Sequence, residues 1–572
     1  MGIPSYFSYI VKNYTLLLKK INHLKSTHEI DNFYLDSNSI IYDSIATIDF
    51  TELKDSDVNT IIFSVIHKIE EYITLVNPSE NIYIAFDGVA PVAKLNQQRS
   101  RRYKSHYQNQ MKKSILQKEK EKDKDKKGFI DSWNTASITP GTIFMNKLND
   151  KMKNHFTNQI PNKYGVKNIH LSLTNAPGEG EHKIFDFIRQ NREYHLKTNT
   201  VIYGLDADLI MLCLNHLPLC KNIFLYRETP HFIQNISNEL EPNQHYFIDI
   251  PELANLIVDD MNNNNNNLEL IIKEEDKDQG EDKDQDQDKK KRIHDYIFLC
   301  FFLGNDFLPH FPSLNIRTGG IFKMMNAYKA TIGGTKEYLF DPIEKKIIWK
   351  NVRKLVSFLA DLEEEHFKQE MKQRDRREKS NNTNSFSKNN KNPEDLLKYY
   401  DSLPTHERTI EKFINPFKDN WENRYYKSLF FTDINDVTKK EICTNYLEGL
   451  EWSMKYYIMD CPDWRWTYKN HYPPLLKDLI HYIPYLDKDF ISNKWDSNPV
   501  SELVQLCYVL PKHSLYLLPQ KLHNNLIREK SYWYDDDCEF LWAYCKYFWE
   551  SHVLLPDINI EELELFIKEN KD

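Results

Sequence analysis

Seven acidic residues stand in sequence contexts that suit a metal site. Asp206 and Asp208 lie two residues apart in GLDADL, at the end of an apolar run. In an extended backbone, the period of two would place both side chains on one side. Glu179 and Glu181 share the glycine-rich segment PGEGEHKIFDFI, which leads into an amphipathic helix. The remaining three also follow apolar runs: Asp36, Asp87 and Asp306.

Converging carboxylates repel one another unless cations lie between them, and oxygen ligands favour hard ions such as Mg²⁺ or Mn²⁺. Two such ions about 3.5–4 Å apart can activate water and stabilise the leaving oxygen of a phosphodiester. Taken alone, Glu179 or Glu181 would more often be a charge at the start of a helix. As a set on an α/β scaffold, the seven residues favour a two-metal site.

A dense basic cluster follows one of these acids. The segment KLNQQRSRRYK, residues 94–104, has five basic residues in eleven, although the chain carries a formal net charge of -9. Such a run is usually a solvated helical face. Because it begins only seven residues after Asp87, it favours a phosphate clamp beside the metal site, with arginine forking onto the phosphate oxygens.

Three short apolar runs, each ending in aspartate, are the predicted strands that position these acids. They cover residues 32–36, 81–87 and 200–206 and alternate with helical stretches, so the first part reads as an α/β domain with a mainly parallel sheet. Ligands gather at the carboxyl ends of parallel strands. An aspartate at a strand end also often caps the following helix, but three strands that end alike favour a site.

Polar segments divide the rest of the chain. Residues 117–127 are a mixed-charge run, and the Asn-rich stretch at about 261–292 is predicted to be a disordered insertion. We therefore expect a nuclease domain at 1–372, a polar linker at 373–392 and a largely helical second region at 393–572.

The cysteine pattern and the hydropathy indicate the compartment. The eight cysteines include no C-x-x-C pair, which argues against a zinc ribbon and for reduced thiols in the cytosol. No apolar run is long enough to span a bilayer, and Tyr6 stands where myristoylation needs Ser or Thr. We expect a soluble, cytoplasmic protein, with a nuclear location left open.

Several segments, read in chain order, closely resemble the first conserved region of the XRN family of 5′→3′ exoribonucleases: MGIPSYFSYIVKNY, DNFYLDSNSIIYDS, FDGVAPVAKLNQQRSRRYKS, ITPGTIFMNKL, APGEGEHKIFDFI, YGLDADLIML and FLGNDFLPHFPSL. The later part resembles the second conserved region in WENRYYKSLF, YLEGLEWSMKYY, WRWTYKNHYPPLLKD and VQLCYVLPKHSLYLLP. The resemblance covers essentially the whole chain outside the three polar segments.

This resemblance implies a flap-endonuclease or PIN-like fold whose second region wraps the active site. It implies a processive enzyme of RNA degradation and mRNA decay that releases mononucleotides from single-stranded RNA with a 5′-monophosphate. A cap or triphosphate is excluded because it is too large for the pocket. The seven acids would hold two Mg²⁺ ions, for which Mn²⁺ can substitute, and we expect a monomer. The family's 5′-phosphate pocket matches Lys94, Gln98, Arg101 and Arg102.

The sequence departs from the family pattern in the motif LDMNGIIH. Tyr42 replaces a histidine that stacks on RNA, and Ser39 replaces a glycine. Tyr42 is therefore expected to stack on the 5′ base together with Trp464 or Trp466, unless these aromatics pack in the core. The zinc-knuckle insertion of many nuclear members and the long C-terminal extension of the large cytoplasmic members are expected to be absent.

Two other functions compete with this one. A catalytically idle RNA-binding scaffold would need at least one metal ligand to be lost, and all seven are present. A structure-specific DNA flap nuclease shares the logic of the metal site, but the basic segment and the motifs of the second region argue against it.

Overall fold

The computed structural model describes residues 3, 5–48, 58–122, 133–157, 163–228, 240–241, 244–262, 281–383, 392–491 and 497–570. Its centre is a seven-stranded sheet with the strand order β1-β7-β6-β5-β2-β3-β4. The strands are β1 Leu18–Lys20, β2 Asn32–Asp36, β3 Asn81–Ala85, β4 Asn168–Ser172, β5 Asn199–Tyr203, β6 Asn222–Glu228 and β7 His245–Asp249. Strands β2 to β6 run parallel, whereas β7 and β1 are antiparallel additions at one edge.

Helices cover both faces of this sheet. They are α1 Tyr6–Asn13, α2 Ile21–Thr27, α3 Asn38–Thr47, α4 Val58–Val76, α5 Val92–Lys122, α6 Ile143–Thr157, α7 Gly180–Gln190, α8 Arg192–His195, α9 Asp208–His216, α10 Ile250–Met261 and α11 Glu281–Phe301. Alternate residues of β2 enter two different cores: Tyr34 packs with α7 and α9, while Phe33 and Leu35 pack with α4 and α6. A strand buried on both faces has no polar side, which explains why the central strands read as continuous apolar runs.

The second region is largely helical, as expected. Its helices are α15 Pro393–Asp401, α16 Thr409–Ile414, α17 Trp421–Phe430, α18 Asp436–Ile458, α19 Leu476–Leu479, α20 Glu502–Val509, α21 Gln520–Glu529 and α22 Ile560–Asn570. Between α11 and this region lie α12 Gly320–Thr331, α13 Trp349–Asp361 and α14 Glu363–Thr383. Two small antiparallel ribbons accompany them: β8 Phe340–Asp341 with β9 Lys346–Ile347, and β10 Glu539–Leu541 with β11 His552–Leu554. The predicted fold class, a mainly parallel sheet flanked by helices and followed by a helical region, is confirmed.

The polar segments are more ordered at their ends than the sequence predicts. Residues 281–292 of the expected disordered insertion are helical, because α11 extends back from the apolar run that follows them. Buried Arg292 fixes this end by donating to the hydroxyl of Tyr328 at 2.5 Å and the carbonyl of Glu337 at 3.2 Å. Residues 117–122 continue α5, and 373–383 of the expected linker continue α14.

Residues 123–127, 263–280 and 384–391 of these segments lie outside the described part of the chain. The domain boundaries at 372 and 392 stay a prediction. None of the described helices combines the length and the hydropathy that crossing a lipid bilayer requires.

Candidate active site

The sheet brings three of the acids to one edge. Strand β2 lies between β3 and β5 and runs parallel to both, so the carboxyl ends of all three strands meet. Asp36 is the last residue of β2, Asp87 follows β3 by two residues, and Asp206 follows β5 by three. The extended geometry expected for Asp206 and Asp208 is wrong, because β5 ends at Tyr203 and Asp208 is already the first residue of α9.

The start of α7 closes over these strand ends. The backbone N–H of Gly180 donates to Oδ1 of Asp87 at 2.7 Å, and Glu179 and Glu181 flank this glycine. A Cβ atom at position 180 would lie 2.8 Å from Oδ1 of Asp36 and 3.4 Å from Oδ1 of Asp87. A side chain at position 180 would therefore displace the Asp36 carboxylate, and glycine lets the helix terminus approach both acids.

Lys94 lies among the acids instead of in a separate basic pocket. Its ammonium contacts Oε2 of Glu179 and lies 2.6 Å from Oδ2 of Asp306, while Gln97 donates to the other oxygen of Asp306 at 3.2 Å. Burial by itself would raise the pKa of Asp306, but the surrounding positive charges, with the Lys94 ammonium first among them, together hold that pKa below its usual value. One lysine thus compensates part of the negative charge.

The other acids repel one another strongly. Burial, reinforced by the charges of neighbouring carboxylates, raises the pKa of Asp36 and of Glu181 well above the ordinary range. The same causes, with Asp306 as the leading neighbour, raise the pKa of Asp208 to about 7. These shifts connect all seven predicted acids into one electrostatic cluster, so the structure brings the whole set together.

The donor set fits hard divalent cations. Oδ1 of Asp208 is buried and has no hydrogen-bond partner among the described residues. Ligand atoms of Glu179, Glu181 and His182 lie within 4.8 Å of one another. Buried carboxylates in excess of their lysine need further positive charge, and oxygen ligands select ions of the Mg²⁺ type.

The basic segment forms part of α5, and two of its cations contact the second region. Arg99 donates to the carbonyls of Pro556 at 2.8 Å and Trp533 at 2.9 Å, and Lys104 donates to the carbonyls of Trp549 and Ser551, both at 2.8 Å. These two cations fasten α5 to the second region. The sequence alone could not separate them from the phosphate-binding candidates.

The residues predicted to bind the 5′-phosphate also lie on α5. Lys94, Gln98, Arg101 and Arg102 are spaced i, i+4, i+7 and i+8, so they lie on one helical face. Arg102 donates to the hydroxyl of Thr139 at 2.5 Å, but its Nη1 is buried without a partner among the described residues. Burial lowers the pKa of Arg102 to about 10. A buried guanidinium with a nitrogen that lacks a hydrogen-bond partner among the described residues is a suitable site for an anion.

The three aromatic candidates differ in their surroundings. Tyr42 on α3 is 42% exposed. It lies close enough to Arg102 to oppose the lowering of the pKa of that guanidinium by burial. Trp464 is half-buried, and its carbonyl accepts from Val92 N–H at 3.0 Å at the start of α5. Trp466 is only 8% exposed and stacks on Trp452 with ring centroids 5.3 Å apart. Tyr42 and Trp464 thus lie beside α5, whereas Trp466 belongs to the core.

Several site residues escaped the sequence analysis. Asn38 donates to Oδ2 of Asp87 and accepts from the Asp87 backbone N–H at 3.1 Å, so it orients this carboxylate. Its position two residues after Asp36 could have indicated this role. Tyr456 donates to Oε1 of Glu179 at 3.0 Å, and Tyr457 interacts through its phenol with Asp208. No local pattern distinguishes these tyrosines from ordinary core residues.

A parallel sheet with acids gathered at its carboxyl edge, covered by a helical region, has the architecture of a PIN-like nuclease. Comparison with known proteins agrees. Residues 1–229 match the family model described as the XRN 5′-3′ exonuclease N-terminus, and residues 286–411 and 405–570 match that of the Xrn1 helical domain. The chain belongs to the XRN family of 5′-3′ exonucleases.

Curated relatives align with nearly the whole chain. The 5′-3′ exoribonuclease 2 of Gallus gallus is 26% identical, with 100% of this chain and 70% of the relative covered. The 5′-3′ exoribonuclease 2 homolog of Drosophila melanogaster is 28% identical, with 98% and 70% covered. The 5′-3′ exoribonuclease 1 of Saccharomyces cerevisiae is 26% identical, with 93% and 40% covered.

Proposed function

We propose that the protein is a magnesium-dependent, processive 5′→3′ exoribonuclease that degrades 5′-monophosphorylated, single-stranded RNA to nucleoside monophosphates. The exoribonuclease class follows from its family, whose curated relatives carry that name. The substrate and the cofactor are supported above all by one observation, the buried carboxylate cluster beside the arginines of α5.

In this proposal the seven acids hold two divalent ions: Asp36, Asp87, Glu179, Glu181, Asp206, Asp208 and Asp306. When bound, such ions activate the attacking water and stabilise the leaving oxygen of the phosphodiester. The protein's own part is positioning. Asn38 and the backbone amide of Gly180 orient the Asp87 carboxylate through hydrogen bonds. Lys94 lies between Glu179 and Asp306 and pairs with both.

The 5′ end is bound on α5, where Arg101 and Arg102 grip the terminal phosphate and Gln98 lies beside them. We expect this site to accept one phosphate and to exclude a cap, as the family resemblance implies. Trp464 lies at the start of α5 and Tyr42 lies near Arg102, and in this proposal both stack on the 5′ end of the RNA. Because hydrolysis then releases one nucleotide, the next 5′-phosphate can occupy the same pocket.

Digestion of matched substrates tests the proposal directly. With Mg²⁺, 5′-monophosphorylated RNA should yield mononucleotides, and EDTA should stop the reaction. A 5′-hydroxyl RNA should be degraded more slowly, and flap DNA should resist. Binding of RNA without any degradation would favour an idle scaffold, and cleavage of flap DNA at a rate similar to that of RNA would favour a structure-specific nuclease.

The proposal includes a monomer acting in cytoplasmic RNA decay. All eight cysteines are free, and seven of them are buried, which suits a reducing compartment. Sedimentation of the purified protein tests whether it is a monomer. Cell fractionation tests the location, and a strictly nuclear signal would contradict the cytoplasmic proposal.

Arg101→Ala should erode the preference for 5′-monophosphate over 5′-hydroxyl RNA. A hydrogen bond to a charged group contributes about 1.5–3 kcal/mol, so the ratio of kcat/KM values should fall about 10- to 100-fold. Lys112→Ala is the matched control, because Lys112 is exposed on the same helix. An unchanged ratio in Arg101→Ala and Arg102→Ala would place the phosphate pocket elsewhere.

Tyr42→Ala should shorten processive runs on long RNA while leaving the first cut on a short substrate nearly intact. Stacking on an aromatic ring is worth about 1–3 kcal/mol per base. This contact matters most after each cleavage, when the RNA must advance without dissociating. The measurement is a single-turnover time course with competitor RNA added after binding. Tyr42→Phe, which keeps the ring, should behave as wild type. Equal run lengths in Tyr42→Ala, Trp464→Ala and wild type would rule out stacking.

A further inference from the structure

Two adjacent tyrosines of the second region reach into the acidic cluster. Tyr456 and Tyr457 lie near the end of α18, and both are buried. The Tyr456 hydroxyl donates to Oε1 of Glu179 at 3.0 Å. Tyr457 packs on α9, where its backbone carbonyl accepts from Asn215 at 2.7 Å and its phenol interacts with Asp208. Successive helical residues point about 100° apart. One short stretch of α18 therefore contacts two different acids, Glu179 ahead of α7 and Asp208 at the start of α9.

The contact with Glu179 fixes both oxygens of its carboxylate. Oε1 accepts from Tyr456, and Oε2 pairs with the ammonium of Lys94. A carboxylate held at both oxygens cannot rotate, so the direction of its remaining lone pairs is set before any cation arrives. The effect on Asp208 is complementary, because its Oδ1 has no partner among the described residues and is left available.

The Tyr456 ring is itself held by its neighbours. It stacks on His182 with ring centroids 3.8 Å apart and an interplanar angle of 22°. Trp452 packs against it at 4.8 Å, and Phe307, the residue after Asp306, packs against it at 5.5 Å. The hydroxyl is thus placed by rigid packing.

We propose that Tyr456 and Tyr457 are positioning residues that hold Glu179 and Asp208 in the orientation that binds the divalent ions. The helical second region thereby completes the metal site of the α/β domain instead of only covering it. This inference rests on the proposed function, because it assumes that the acids bind metal. Groups that orient metal ligands from behind commonly change metal affinity by 10- to 100-fold when they are removed.

The test is Mn²⁺ binding to the full chain without RNA, measured by the loss of the free-ion signal in electron paramagnetic resonance. Tyr456→Phe and Tyr457→Phe keep the rings and remove only the hydroxyls. We expect each to weaken Mn²⁺ binding about 10-fold or more. The Mg²⁺ concentration for half-maximal RNA degradation should rise in parallel, while KM for RNA at saturating Mg²⁺ stays unchanged.

Tyr446→Phe is the matched control. Tyr446 is a buried tyrosine of the same helix, but its hydroxyl donates to the carbonyl of Pro309 at 3.1 Å and not to an acid. It should bind Mn²⁺ as wild type does. Wild-type affinity in both Tyr456→Phe and Tyr457→Phe would overturn the inference. Wild-type protein that binds no Mn²⁺ would instead contradict the proposed metal site itself.

A double-mutant cycle separates positioning from general damage to the fold. In a Glu179→Gln background, the carboxylate that Tyr456 orients is already lost, so adding Tyr456→Phe should weaken Mn²⁺ binding no further. A full additional loss in the double variant would mean that Tyr456 acts through the fold and would overturn its assignment as a positioning residue.

Discussion

Asp208→Asn should lower the rate of RNA degradation by at least about a thousandfold while RNA binding in EDTA survives. Asparagine keeps the size of the side chain and removes its charge. Loss of a metal ligand removes stabilisation worth several kcal/mol, at about 1.4 kcal/mol for each tenfold in rate. Binding survives because Arg101 and Arg102, which hold the 5′-phosphate in the proposed mechanism, lie on α5 and are untouched.

The same substitution should not destabilise the metal-free protein. Asp208 is buried beside Asp306 and Asp206, and its charge is repelled by both. Removing one of several like charges relieves this repulsion, so in EDTA the variant should melt at the wild-type temperature or above it. The melting curve thus distinguishes a lost ligand from a damaged fold.

The control is Asp186→Asn on α7. Asp186 accepts from Gln190 at 2.7 Å and lies 3.6 Å from Arg189, on the surface side of the helix. It should degrade RNA at nearly the wild-type rate. Near-wild-type turnover by Asp208→Asn would contradict its assignment as a metal ligand.

The sequence predicts the scaffold of the site well because the central strands have a simple signature. The run at 32–36 has the same bounds as β2, and the other two runs differ from β3 and β5 only at their ends. The difference has a physical reason. Asp87 and Asp206 lie in the loops that follow these strands, where the chain leaves the sheet to direct their carboxylates toward Asp36.

Long-range contacts were the part that the sequence could not predict. The basic run looks uniform, yet Arg99 and Lys104 bind carbonyls of the second region more than 400 residues away. Lys94 looks like a phosphate ligand, yet its ammonium lies between two acids. Tyr456 looks like any core aromatic, because its hydroxyl contacts Glu179, which lies 277 residues away in the sequence. Local patterns contain no information on such pairings.

Glu411→Ala should destabilise part of the second region by about 3–5 kcal/mol. The Glu411 carboxylate accepts two hydrogen bonds from Arg374, at 2.8 and 2.7 Å, and one from Arg408 at 2.6 Å. It also accepts from the Tyr544 backbone N–H at 2.8 Å. All three charged side chains are buried. Alanine would leave the Arg374 guanidinium with a longer contact to Glu370, at 3.8 Å. Arg408, in contrast, would keep Asp375 at 2.8 Å and Glu378 at 3.0 Å.

Lys412→Ala is the control in the neighbouring position. Lys412 pairs with Glu378 at 2.6 Å, but its side chain is half exposed, and exposed pairs contribute about 0–1 kcal/mol. Urea unfolding followed by tryptophan fluorescence should show a clear shift of the midpoint for Glu411→Ala and almost none for Lys412→Ala. Equal midpoints would mean that the arginines find other partners, such as the carbonyl of Cys545, which Arg374 already contacts at 2.7 Å.

The position of this network predicts how far the damage spreads. Residues of α16 and α17 pack in a small aromatic core of their own, together with Phe367 and Tyr544. The part of α18 that carries Tyr456 and Tyr457 packs instead with the helices of the α/β domain. Glu411→Ala should therefore weaken hydrogen-exchange protection in α14, α16 and α17 first, while protection around Tyr456 and Mn²⁺ binding persist. Simultaneous loss of all of these would show that the second region unfolds as one unit and that the metal site depends on its global stability.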